Sequence, residues 1–264
     1  MLFRSENMVP AEAMPFTGAG GMRFDNGDYP ESVAKAAAAV GMDDIRTRQE
    51  QSSSDGKLIG VGFASYSEQT AHGTQEWKIR GTPVIPAFET ATARMHADGT
   101  LELLVAIHSH GQGMETSMAQ VAHEVLGIDP DNVTVTHGDT GLTPYSTGTW
   151  GSRCMVMSGG AVATACEAIG ERAARIGASL LQAEVDDVRI EGGEVIAPGG
   201  TVSLAEIARV WYLKPQDLPP DVDPAGLEVT VGYKPERDTG TFSYAAHAAV
   251  VRDELEVMRA DGDR

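Results

Sequence analysis

The apolar and polar positions of this chain alternate in two rhythms, one of strands and one of helices. Leu58-Ile59-Gly60-Val61-Gly62-Phe63-Ala64 reads as a strand whose small residues permit close backbone approach. Phe88–His96 and Leu101–His108 form a hairpin, since Ala97-Asp98-Gly99-Thr100 between them has turn chemistry. Over Thr116–Leu126 the residues Met118, Val121, Ala122, Val125 and Leu126 share one helical face, and Gly127 followed by Pro130 ends the run. Val133-Thr134-Val135-Thr136-His137 alternates as a strand. An Ala-rich helix is expected from about Met155 to Gln182, then a small hairpin over Val188–Ile196 around Gly192-Gly193. Ser203 and Glu206 form a capping box that opens a further short helix. Leu213–Pro224 reads as a connector, and Leu227–Tyr233 and Tyr244–Val251 as closing strands.

The N-terminal stretch has another texture. Residues 1–30 are rich in Pro, Gly and Asn and read as an extended arm. Asp28–Val40 reads as a helix with Pro30 in its first turn and Gly41 as its stop. Gln49–Lys57 is expected to be a polar loop, and Thr70–Pro86 a loop or lid. This predicts an arm and linker over residues 1–56 and, over 57–264, an α+β domain of mixed twisted sheets with packed helices.

Composition narrows the function classes. With 42% hydrophobic and 22% charged residues the chain has an ordinary globular balance. A formal net charge of −18 argues against a nucleic-acid partner, which requires a basic face. Cys154 and Cys166 match no zinc or iron–sulfur spacing and read as small helix-packing residues. No apolar run reaches the roughly eighteen residues of a membrane span, and Met1–Glu6 lacks the apolar core of a secretory signal. A cytoplasmic protein is expected.

The chemistry is concentrated between His108 and Arg153. Strands lead into Ser109-His110-Gly111-Gln112-Gly113-Met114-Glu115-Thr116 and, through Gly138-Asp139-Thr140, into Thr147-Gly148-Thr149-Trp150-Gly151-Ser152-Arg153, each ahead of a helix. Helix N-termini expose unpaired N–H groups and suit anions. Glycines let the backbone approach a ligand, and Arg153 offers a fork for a phosphate. The pattern fits a phosphorylated cofactor; it also fits plain turn chemistry with Glu115-Thr116 as a cap. Neither a Gly-x-Gly-x-x-Gly fingerprint nor a Gly-Lys-Ser/Thr loop is present in this stretch. His108 and His110 would share a strand face, but no third ligand stands at metal-binding spacing, so no metal site is expected. Glu68, Glu76 and Glu89 read as capping or solvated acids, Lys78 and Arg80 as parts of a solvated loop, and Met118, Met155 and Met157 as core filler.

The ordered series Gly111-Gln112-Gly113-Met114-Glu115-Thr116, Gln120, Leu126-Gly127-Ile128, Gly138-Asp139-Thr140, Pro144-Tyr145, Thr149, Gly151-Ser152-Arg153 and Gly159-Gly160-Ala161 resembles the large, molybdopterin-binding subunit of the molybdenum hydroxylases. That superfamily comprises xanthine dehydrogenase, aldehyde oxidase and aerobic carbon monoxide dehydrogenase, and the carbon monoxide branch is the most similar. Asn7 through Thr17, Asp25 through Pro30, Gly60 through Glu68 and Gly240–Ala248 extend the resemblance over most of the chain. The resemblance implies part of a molybdopterin-binding domain. It places His110, Gly111 and Gln112, with Gly113, Glu115, Thr116, Asp139 and Thr140 around them, against molybdopterin. It places Thr149, Trp150, Gly151, Ser152 and Arg153 around the diphosphate of a molybdopterin cytosine dinucleotide carrying Mo. His110 stands where the carbon monoxide branch has Gln. The implied partners are a [2Fe-2S] small subunit and an FAD medium subunit, and the implied reaction is oxidation of a small organic substrate or CO with water as oxygen source.

The family's catalytic glutamate has no counterpart among these residues, so no catalytic residue is assigned and the chain is not expected to catalyse alone. Met258–Arg264 does not resemble the family. A gene fragment, a split subunit completed by another chain, and a non-catalytic module that kept the fold are the three readings this leaves.

Overall fold

The computed structural model describes residues 6–52, 57–83 and 85–254. In chain order a short two-stranded hairpin comes first, β1 (Phe16–Thr17) and β2 (Arg23–Phe24). Helix α1 (Tyr29–Ala39) follows, capped by the Asp28 carboxylate, which accepts from the Glu31 N–H at 3.0 Å. Then come α2 (Met42–Ser52), β3 (Lys57–Thr70), α3 (Thr74–Ile79), β4 (Glu89–Met95), β5 (Leu101–Val105), α4 (Met114–Leu126) and β6 (Val133–Thr136). A π-helical turn over Cys154–Gly159 leads into α5 (Gly160–Leu180). The chain continues through β7 (Arg189–Glu191), β8 (Glu194–Ala197), β9 (Gly200–Ser203), α6 (Leu204–Leu213), β10 (Glu228–Tyr233) and β11 (Thr241–Glu254). This is the mixed α+β architecture that the pattern predicts.

Two compact units result. One holds the described residues of Met1–Gln69 and Thr241–Arg264, the other Thr70–Gly240. The division does not fall at the Gln49–Lys57 loop, because β3 pairs with β11 and so joins the N-terminal segment. In this unit α1 packs on β11, with Tyr29 edge-on to Tyr244 at 5.1 Å between ring centroids.

The second unit is built on a four-stranded sheet in the order β10-β4-β5-β6. β10, β4 and β5 are antiparallel; β5 and β6 are parallel, joined by the crossover helix α4. On β4 the residues Ala91, Ala93 and Met95 point into the core, as do Leu101, Leu103 and Val105 on β5. The intervening positions form a polar ladder: Thr92 meets Thr230 at 2.7 Å, and Arg94 binds Glu228 at 2.9 Å and Glu102 at 3.0 Å.

Helix α5 crosses β4 and β10, and α4 packs beside it. Its buried face is Ala161, Val162, Ala165, Cys166, Ile169, Ala173 and Ile176. The small residues are needed for that approach. A side chain at Gly160 would run into the Tyr233 ring, and one at Gly177 into Val195. A small sheet, β7-β8-β9, covers the far end of α5. Ser203 caps α6 by accepting from the Glu206 N–H at 3.1 Å.

Several elements differ from expectation. Gln49–Ser52 are the last turn of α2 rather than loop, and 53–56 lie outside the described residues, as does Met258–Arg264. The lid region 70–86 contains α3, and β9 adds a third strand to the predicted hairpin. The Ala-rich helix begins at Gly160, after the π-helical turn. Met118 and Met157 are core, but Met155 is 49% exposed. Cys166 is buried and Cys154 half-buried, both as free thiols on the helix-packing side of the molecule.

Candidate functional site

Parallel neighbours in a sheet send their following loops to the same edge, and β5 and β6 do this here. The β5 loop, 106–113, runs to α4; the β6 loop, 137–153, runs to the π-helical turn and α5. Strand β5 ends at Val105, so His108 and His110 lie on this loop rather than on a strand face. The antiparallel partner β4 begins at the same edge, because Ala91 pairs with Val105 and Glu89 extends past it. Three chain segments therefore converge.

One hydroxyl joins the two loops. Thr149 Oγ1 accepts from the His108 N–H at 2.6 Å and donates to the His108 carbonyl at 2.7 Å. The first loop is bent by local bonds: the Ser109 hydroxyl accepts from the Gly111 N–H at 3.4 Å, and the Gln112 side chain accepts from the His110 N–H. Gly111 and Gly113 have φ of +90° and +75°, and a side chain at either would meet nothing within 4 Å. The main chain here faces open space in a conformation that L side chains rarely adopt. Helix α4 starts at Met114, two residues earlier than predicted, and its N-cap, Gly113, has no side chain to cap it.

Glu115 occupies the first turn of α4. Its carboxyl is held below the usual range, first by its own main-chain N–H, against burial, and then by His137 and Ser109. His137 Nε2 lies 3.0 Å from Glu115 Oε1, and the Ser109 hydroxyl donates to Oε2 at 3.1 Å. The ring of His108 lies 5.3 Å from that of His137 and 6.4 Å from that of His110. Among the described residues no cluster of three or more ligating side chains has metal-binding geometry.

The second loop is longer and more internally bonded than a simple strand–turn–helix unit. Asp139 organises its start: its carboxylate accepts from the Gly141 N–H at 2.8 Å and its carbonyl from the Thr143 N–H at 3.0 Å. Thr140 is exposed beside it, as is Thr116 on α4. Trp150 is half-buried, donates to the Thr147 carbonyl at 3.1 Å, and lies 5.3 Å from the Trp77 ring. Gly151 and Ser152 both have left-handed φ, +57° and +51°, an unfavourable conformation for serine. The Gly151 carbonyl accepts from the Ala71 N–H at 3.1 Å.

Arg153 does not offer its fork to solvent. It is 1% exposed, and its guanidinium binds Glu89 Oε1, the Gly148 carbonyl at 3.0 Å and the Phe88 carbonyl at 3.0 Å. It also stacks over Trp150 at 5.4 Å. Glu89, expected to be solvated, is wholly buried. It shares the core face of β4 with Ala91, Ala93 and Met95, and Arg153 answers its charge. Strict alternation backwards from Met95 would have placed an acid on that face. Ser146 belongs to the same cluster, donating to Glu89 Oε1 at 2.6 Å, and no sequence signal marks it.

Against this geometry, a family model described as the molybdopterin cofactor-binding domain matches residues 35–261. The chain belongs to that family. It is 30% identical over 251 residues to the nicotine 6-hydroxylase large subunit of Paenarthrobacter nicotinovorans, covering 94% of this chain and 30% of that one. It is likewise 30% identical over 253 residues to the carbon monoxide dehydrogenase large chain of Afipia carboxidovorans, covering 90% and 30%. The crystal structure of quinoline 2-oxidoreductase from Pseudomonas putida 86 superposes with a TM-score of 0.75 at 30% identity, over 97% of this chain and 32% of that one. The molybdopterin-binding fold and the molybdenum hydroxylase resemblance read from the sequence are thereby met. The chain spans about a third of the length of these relatives. Among the described residues no helix is long and apolar enough to cross a membrane.

Proposed function

We propose that this molybdopterin cofactor-binding domain chain forms one wall of the cofactor site of a molybdenum hydroxylase. The clasp between Thr149 and His108 carries the reading. It fixes side by side two loops whose glycines, Gly111, Gly113 and Gly148, leave main chain facing open space where any side chain would intrude. The start of α4 lies at the same edge, and its cap residue, Gly113, has no side chain to cover it. The residues present thus fit a pterin with an attached phosphate or nucleotide.

In this reading His110, Gly111, Gln112, Gly113, Glu115 and Thr116 line the pterin, with Asp139 and Thr140 at its side. Thr149, Trp150, Gly151 and Ser152 shape the wall along the diphosphate of a molybdopterin cytosine dinucleotide, and Arg153 supports that wall from inside. The cofactor, when bound, supplies a redox-active molybdenum. This chain's residues orient it and exclude water from its buried edge. The substrate class is a small organic molecule or CO, oxidised in a cytoplasmic complex that passes electrons to [2Fe-2S] and FAD subunits.

The test is cofactor extraction. The protein, produced in a molybdenum-replete host together with the remainder of such a subunit, is expected to release an oxidised pterin and CMP on acid treatment. Folded protein that releases neither would remove the proposal. A second reading, a module that keeps the fold without the cofactor, draws on the Glu115 carboxylate standing at the helix start where an anion would sit. That reading expects no pterin.

A further inference from the structure

We infer that Glu89 is the positioning residue of the second loop, acting through Arg153 and Ser146 on the two peptides that flank Gly148; this rests on the cofactor-binding reading above. Both ends of Gly148 are tied to one carboxylate oxygen. Its N–H donates to the Ser146 hydroxyl at 2.8 Å, and that hydroxyl donates to Glu89 Oε1 at 2.6 Å. Its carbonyl accepts from Arg153 Nη1 at 3.0 Å, and the same nitrogen binds Glu89 Oε1. Gly148 has a φ of +87° and open space where a side chain would be, so the main chain at this residue is a wall facing outward.

The pair is suited to orienting rather than to stabilising. Glu89 is fully buried and Arg153 1% exposed, and a buried ion pair adds little over an apolar pair of the same size. What an apolar pair lacks is direction. The fork reaches the carbonyls of Phe88 and Gly148 together, which fixes the loop against the residue just before β4. Turning Arg153 outward onto a phosphate would leave Glu89 charged and alone in a dry site. Arg153 is therefore a support and not a phosphate ligand.

Amide exchange and retained pterin, measured on the full chain and on the chain joined with the remainder of its subunit, test this. Glu89→Gln is expected to speed exchange in residues 146–152 by about tenfold while amides of α5 keep their protection. Ser146→Ala, a half-buried site whose variant keeps the ion pair, is expected to give a smaller change in the same direction and keeps the test open should Glu89→Gln fail to fold. Retained pterin falls in the same order. The double variant Glu89→Leu/Arg153→Met is expected to regain the melting temperature but neither loop protection nor pterin. Unchanged exchange in both single variants would overturn the inference. So would loop protection and pterin returning together with stability in the double variant, which would mark a purely structural pair. A Glu89→Gln protein that holds more pterin would make Arg153 a phosphate ligand and overturn it as well. Wild-type protein without pterin sinks the cofactor reading alone, and the exchange experiment still decides the role of Glu89.

Discussion

At the scale of single residues, two ionisable groups give direct expectations. Glu115 has its folded pKa depressed below the ordinary 4.5, chiefly by its own N–H. A depressed carboxylate adds stability above its unfolded pKa and loses it as pH falls through the folded value. Glu115→Gln should therefore melt below wild type at about pH 7, with the gap closing as pH drops from about 4.5 downward. A gap independent of pH would show that the carboxylate's charge is not what matters. Cys166 is the opposite case: burial pushes its thiol up to about 12. In native protein at about pH 8 it should resist iodoacetamide while half-buried Cys154 is alkylated, and should react only on unfolding, as mass mapping would show. Residue types were readable from the sequence; their orientation was not. Arg153 reads as an outward fork, because a Gly-Ser-Arg motif says nothing about a buried acid 64 positions earlier. Glu89 reads as a capping or solvated acid because the texture of the preceding loop outweighs the two-residue period that starts on it.

At the scale of elements, legibility followed the strength of the period. The α4 stripe, the β4–β5 hairpin and the Ser203 cap were all readable, since each rests on local spacing. Helix α2 was not, because Met42-Asp43-Asp44-Ile45-Arg46-Thr47-Arg48 offers one buried apolar residue, Ile45, and no stripe. The π-helical turn before α5 was equally hidden: the Met-rich sequence there is compatible with a regular helix. The site's three-segment convergence depends on β5 and β6 being parallel, a pairing that no local pattern announces. The element carrying most of the packing is α5, wedged on the sheet through small residues and a few large ones. Ile169, fully buried at its centre, is one of those. Ile169→Ala should cost about 2–5 kcal/mol. In urea unfolding the midpoint would fall with an unchanged slope; a changed slope would mean that the two-state description had failed instead.

At the scale of the whole molecule, charge is the dominant property. Thirty-eight acids face twenty lysines and arginines, so eighteen carboxylates are in excess of any one-to-one pairing. The ion pairs that do form are largely on the surface, Arg94–Glu228 and Arg172–Asp223 among them, and each is worth about 0–1 kcal/mol. Net self-repulsion and local attraction respond to salt with opposite sign. Raising ionic strength from about 0.01 M to about 0.1 M shortens the screening length from about 30 Å to about 10 Å. That is short enough to mute repulsion across the molecule, yet longer than the 2.7–2.9 Å separations within those pairs. Repulsion should therefore lose more than attraction, and the melting temperature should rise across this range and then level off. In the multi-subunit complex we propose, the same acidic excess favours a basic face on a partner subunit, whose docking would answer the repulsion as salt does. A melting temperature that falls with salt would mean that local pairs outweigh the net charge. It would then remove the electrostatic argument for a basic partner.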